Sequence, residues 1–152
     1  MPQITIQTAA SLTQCSTRTI RRRLAAGLLK NKGGDEDSGK QTVCFESIQA
    51  DIPFALNPDD IELIKSADSG DPDAQNDLGL LFLENEQSKT AVHWLELAAG
   101  QNVSDAMQLL GDCYLQGKGR PKDNNLAIMW IAKAASMGHS IAIAQMASIH
   151  PA

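Results

Sequence analysis

The chain has 152 residues, 43% of them hydrophobic and 20% charged, a balance that can bury a core and argues against a disordered chain. No stretch approaches the roughly 20 apolar residues of a membrane span, and the N-terminus lacks the basic-then-apolar order of a signal peptide, so a cytoplasmic protein is expected. The net charge of -5 is unevenly spread: residues 1–48 hold 7 Lys and Arg against 4 Asp and Glu, and residues 49–152 hold 6 against 14, which suggests two modules, the basic one suited to a polyanion.

The first module opens with two closely spaced helix starts. Thr5 is a capping residue for a short helix through about Leu12, with Ala9, Ala10 and Leu12 among its apolar residues. Ser16 caps a second helix, over 16–26, whose inward stripe is Ile20 and Leu24 and whose end is Gly27. The link Thr13-Gln14-Cys15 is short enough to force a steep crossing, the geometry of a helix-turn-helix. With Ile20 and Leu24 inward, Thr17, Arg18, Arg21 and Arg22 point outward, and Arg23 lies at the border within reach of a phosphate. Arginine pairs bidentately with the O6 and N7 of guanine, so this face suits the major groove of double-stranded DNA. A solvated helix face is the plainer reading of a charged run. It fits less well where the charge coincides with two caps and a tight turn.

The segment after the second helix predicts a wing. Leu28, Leu29 and Lys30 lead into the polar, glycine-rich "KNKGGDEDSGK", and "QTVCF" (41–45) returns as a strand with Val43 and Phe45 on one face. Lys30 and Lys32 are added to the expected DNA contacts. The acidic tip of Asp35, Glu36 and Asp37 should avoid phosphate, so only the base of the wing is expected to approach DNA.

These residues resemble the winged helix-turn-helix of excisionases and MerR-type regulators over roughly residues 3–48. The likeness rests on the Thr-initiated helix with Ala9-Ala10, the Ser16 cap, Thr19-Ile20 and the Gly27-Leu28 exit. It implies DNA binding through the second helix, which carries over by position to Thr17, Arg18, Arg21 and Arg22.

The junction comes next. Asn57 is a good cap, Pro58 suits a first helical position, and Asp59 and Asp60 complement the helix dipole. A linker is therefore expected over 51–57, stiffened by Pro53, with a second domain over 58–152. There the chain repeats itself. "AQNDLGLLFL" (74–83) matches "AMQLLGDCYL" (106–115), and "AVHWLELAA" (91–99) matches "AIMWIAKAA" (127–135), with a third copy starting at "AIAQMA" (142–147). Periods in the thirties predict an alpha-solenoid of helix-turn-helix units. Gly79 and Gly111 with Ala98, Ala99, Ala134 and Ala135 would let paired helices approach closely, while Phe82, Trp94, Tyr114 and Trp130 fill the space between repeats. Expected helix starts are Asp71-Pro72, Ser88, Ser104 and Ser140, and expected stops Gly70, Gly100 and Gly138.

"LLGDCYLQGKGRPKDNNLAIMWIAKAASMGH" resembles the Sel-one-like branch of tetratricopeptide repeats, a likeness covering about residues 60–150. The first copy departs from it in lacking the "GKG-x-P" loop. The resemblance implies a protein-binding scaffold and no catalysis.

Residues for chemistry are not assembled by spacing. Cys15, Cys44 and Cys113 include no C-x-x-C and are read as small buried hydrophobes, and His93, His139 and His150 stand apart from them and from one another. "GDCYLQGK" (111–118) fails as a phosphate loop, because the spacing is one too long and Gly119 replaces the needed Ser or Thr. No metal, cofactor or enzymatic role is expected. The expected fold is mainly α, a small winged helix-turn-helix domain joined to a short alpha-solenoid. The expected function is that of a bacterial-type DNA-binding regulator or adaptor whose repeats receive a protein. The alternative is a scaffold whose basic N-terminal domain contacts an acidic protein and never touches DNA. A homodimer through the C-terminal helix is also expected, since "SIAIAQMASI" is apolar nearly all round and has no second helix to cover it.

Overall fold

A computed structural model describes residues 2–31 and 41–149. The chain is mainly helical and divides into two compact units, Met1–Ser69 and Gly70–Ala152.

In the first unit, strand β1 (Gln3–Thr5) leads directly into helix α1 (Ile6–Thr13), and α2 (Thr17–Ala25) comes after Gln14, Cys15 and Ser16. Thr5 is the N-cap of α1 and accepts a hydrogen bond from the Thr8 amide at 3.3 Å, while Ser16 caps α2 by accepting from the Thr19 amide at 3.1 Å. α1 ends on Gln14 in the left-handed region (φ 57°), and the Cys15 amide donates to Ala10 O. At the end of α2, Gly27 takes φ 75° and the Leu28 amide donates back to Arg23 O at 2.9 Å. Ile20 is fully buried. Leu24, expected beside it, is only half-buried, so the inward stripe is one residue deep.

The return strand is β2 (Thr42–Cys44), and it pairs antiparallel with β1, setting Ile4 opposite Val43 in the core. The Cys44 amide also donates to Lys30 O at 2.8 Å. The strand expected over 41–45 stops one residue early, because Phe45 opens a short helix, α3 (Phe45–Ile48), with a 3-10 turn (Gln49–Asp51) after it. The expected wing tip, with Lys32, Lys40 and the acidic triplet, lies outside the described residues.

Helix α4 (Pro58–Asp68) starts as its sequence requires. The Asn57 side chain accepts from the Asp60 amide, and the Asp60 carboxylate accepts from the Asn57 amide, a reciprocal capping box. The 51–57 segment and α4 belong to the first unit, and the reason is Asp68. Its carboxylate accepts from the Thr5 amide, from Thr5 Oγ1 at 2.7 Å and from Thr8 Oγ1 at 2.5 Å, clamping the last residue of α4 onto the cap of α1.

The second unit stacks helices in sequence: α5 (Pro72–Glu84), α6 (Ser88–Gly100), α7 (Ser104–Gln116), α8 (Asn124–Ser136) and α9 (Ser140–Ile149). Each packs on its chain neighbours, α5 with α6 and α7 with α8 forming the tightest pairs. The pairing glycines explain this closeness. A Cβ on Gly79 would lie 2.8 Å from the Leu95 side chain, and one on Gly111 2.5 Å from Ile131 Cγ1. Asp71 caps α5 as expected. Ser88 and Ser104 are instead the first residues inside their helices, and the cap positions before them, Gln87 and Val103, make no side-chain cap bond. Gly100 also lies inside α6, with Asn102 (φ 68°) taking the left-handed turn after it.

The loop from α7 to α8 is folded against α6. Gly119 has φ 74°, and a Cβ there would run into the backbone oxygen of Ser88. Substituting Gly119→Ala therefore combines left-handed strain of about 1–2 kcal/mol with an overpacking cost of about 1–3 kcal/mol. Gly117→Ala incurs the strain alone, because its nearest neighbours are ordinary contacts at 3.5 Å. Gly119→Ala should therefore melt lower than Gly117→Ala, and a Gly119→Ala protein melting above Gly117→Ala would contradict the packing described.

Candidate nucleic-acid interface and repeat scaffold

The basic face is carried by α2. Arg18, Arg21 and Arg22 are exposed, and Thr17 is half-buried. Arg22 and Arg23 lie in the last turn, where a cation complements the helix dipole, and no acidic residue opens the helix. Arg23 is half-buried, at the border of this face. Its Nη1 lies 3.9 Å from Asp51 Oδ2, so part of its charge faces its own unit and not an outside phosphate. Lys30 is exposed, with its backbone oxygen held by Cys44. The structure thus brings Arg18, Arg21 and Arg22 onto one short helix; Lys32 lies outside the described residues.

In the repeats, Phe82 and Trp94 fill the core as expected, but Tyr114 and Trp130 are half-buried. Trp130 instead carries Lys133 Nζ at 5.1 Å from its ring centroid. Two polar networks have no signal in the sequence. Glu96 on α6 accepts from Tyr114 Oη at 3.4 Å and pairs with Arg120 at 3.5 Å, tying the loop before α8 to the preceding repeat. Asp112 on α7 accepts from Gln108 at 2.7 Å and from Gln145 at 2.6 Å, which fixes α9 against α7. Gln108 is itself buried, so this network satisfies a polar side chain that would otherwise be orphaned.

Cys44 and Cys113 are buried and Cys15 half-buried, all as free thiols. Burial, with the Asp112 charge beside it, pushes the Cys113 thiol up to about 11, so it is not a nucleophile near neutrality. Among the described residues no group of His, Cys, Asp and Glu is placed to hold a metal, and no helix is long and apolar enough to cross a membrane.

His93 packs edge-on against Trp94, with ring centroids 5.3 Å apart. Burial holds its pKa below the ordinary 6.5, Glu96 opposing and Arg120 reinforcing that shift. The unfolded chain therefore takes up this proton more readily. The His93 contribution is complete above pH 6.5 and is lost as pH falls from there toward the folded value. His93→Gln should remove part of the fall in melting temperature between pH 7 and pH 5. An identical fall in both proteins would show that His93 does not contribute.

A family model described as Sel1 repeat matches residues 72–103 and 104–139. These segments are two Sel1 repeats. The match starts just past the boundary between the two units, and each copy takes in one tightly packed pair, α5 with α6 and α7 with α8. A Sel1 repeat protein from Oxalobacter formigenes superimposes with a TM-score of 0.56 at 33% identity, covering 59% of this chain and 27% of that one. A protective antigen present in uropathogenic Escherichia coli strains, displaying an SLR fold, gives 0.58 at 38% identity, covering 62% and 21%. Human wolframin is 30% identical over 98 residues, which is 60% of this chain and 10% of wolframin. The chain thus spans only a small part of each of these proteins.

Proposed function

We propose that the protein is an adaptor: the Sel1 repeats dock a protein, and the basic first unit docks a polyanion, read as duplex DNA gripped by α2. The protein-docking part has the broader support, from the repeats themselves. The DNA part is carried by one observation: three exposed arginines on a capped helix that comes after another across a three-residue turn, in a chain of net charge -5. Arg18, Arg21 and Arg22 are assigned to base edges, Thr17 to the same face, and Lys30 and Lys32 to phosphates, with Arg23 contributing less because of Asp51. The second reading keeps the scaffold and gives the basic unit an acidic protein in place of DNA. Its support is that the family match covers the repeats alone.

Fluorescence anisotropy of the full chain on duplex DNA, across about 50 to 200 mM salt, separates the two. With Lys30, Lys32 and part of Arg23 on phosphates, about two to three are neutralised, and log affinity against log salt should have a slope of roughly -2 to -3. A slope near zero, or binding to polyglutamate but not to DNA, would sink the DNA reading and leave the scaffold.

A further inference from the structure

The second unit is acidic, with 5 Lys and Arg against 9 Asp and Glu over residues 70–152, yet four of its five basic residues meet at one place. Lys118, Arg120 and Lys122 lie in the loop between α7 and α8, and Lys89 lies in the first turn of α6. The packing of that loop joins them. Gly119 rests on the backbone of Ser88, the residue before Lys89, so Lys118 and Arg120 flank the start of α6. The loop also closes on itself, since a Cβ on Gly117 would lie 3.5 Å from the Lys122 backbone nitrogen. Arg120 is already engaged: Nη2 pairs with Glu96 at 3.5 Å, and Nη1 donates to Gly119 O at 3.0 Å. Lys89, Lys118 and Lys122 are exposed and have no ion pair among the described residues. The adjoining Asp123 carboxylate is occupied in accepting from the Leu126 amide as the cap of α8. Three like charges are thus held together on a fixed loop, where an anion that bridges them relieves their repulsion.

We propose that this basic loop docks a short acidic segment of a partner protein. The proposal rests on reading the repeats as a protein-docking platform and names the chemistry of the segment they take. Charge complementarity selects an anion, and the surroundings select a short one. Duplex DNA carries a charge about every 1.7 Å along its whole length. Running past the loop, it would meet exposed Glu84 and Glu86, five and three positions before Lys89, in a unit of net charge -4. An extended peptide, at about 3.3–3.6 Å per residue, needs only a few successive carboxylates to match the three free ammonium groups and extends no further.

Anisotropy of a fluorescein-labelled octaglutamate peptide with the full chain tests this, at salt from about 50 to 150 mM. The parent should bind the peptide. Lys118→Glu with Lys122→Glu should bind it about 10-fold more weakly, because two exposed attractions become repulsions. Arg21→Glu with Arg22→Glu makes the same change in net charge away from the loop and should lose less. Both pairs are exposed, so both variants should keep the parent's helical melt. If the loop variant does not fold, Lys89→Glu decides, with an expected loss of about threefold. An unchanged affinity in the loop variant, or a greater loss in the α2 variant, would overturn the proposal. So would a loss of duplex DNA affinity in the loop variant as large as its loss of peptide affinity, which would assign the loop to nucleic acid. A parent that ignores octaglutamate removes the acidic segment alone, since docking of a protein on an uncharged face of the repeats makes no use of these lysines.

Discussion

Trp94→Ala should unfold the repeat unit at temperatures where the parent is intact. Trp94, on α6, is 2% exposed, so its truncation costs about 3–5 kcal/mol. In a unit of this size each kcal/mol moves the melting point by about 4–8 °C, giving a fall of at least roughly 12 °C. Trp94 Nε1 is buried with no hydrogen-bond partner among the described residues, so Trp94→Phe should cost less: it leaves a smaller cavity and removes an unpaired donor. Trp130→Ala is the internal contrast. It occupies the same position in the second repeat but is half-buried, and should lose no more than about 2 kcal/mol. Melting monitored by circular dichroism checks all three. Equal losses for the two alanine variants would mean that the two positions are equally covered.

Replacing Arg21 and Arg22 together by alanine should weaken DNA binding by about 30-fold or more, if each makes a contact worth about 1–3 kcal/mol. Both arginines are exposed, and neither has a carboxylate contact of the kind that holds Arg23 among the described residues. The salt slope should shrink in the same variant only so far as these side chains also reach phosphates. Arg23→Ala should change affinity far less, because Asp51 already neutralises part of that charge. Site selection with each single variant assigns roles: Arg18, Arg21 and Arg22 should shift the preferred sequence, and Arg23 should not. Unchanged DNA affinity in the double variant removes α2 as the contact surface.

The features legible in the sequence are those that local rules determine. Thr5, Ser16, Asn57 and Asp71 are caps because a short polar side chain at the start of a helix satisfies an amide two or three residues on, and all four do so here. The repeats are legible because their small and large residues recur at fixed spacing, and Gly79 and Gly111 meet their partner helices at matching places. The features that escape depend on partners distant in the chain. Asp68 reads locally as the polar end of a helix, and nothing near it points to Thr5 and Thr8. The Asp112 pairing with Gln145 spans 33 residues and has no signature in either helix. Trp130 matches Trp94 by pattern, but its depth depends on what lies beyond it. Helical periodicity alone places Arg18, Arg21 and Arg22 on one exposed face and Arg23 at its border, but it does not show the Asp51 carboxylate, 28 positions further on, that pairs with Arg23.

The Asp68 clamp also sets an order of events during synthesis. Thr5 leaves the ribosome 63 residues ahead of the carboxylate that completes its hydrogen bonds. At about 5–20 residues per second, that is a wait of roughly 3–13 s. Throughout it, the nascent first unit has α1 and α2 without the contact that closes them. The stacked helices of the second unit face no such delay, since each finds its packing partner as soon as the next one emerges. The first unit is thus made before the repeats, yet the contact that closes it waits until α4 is made.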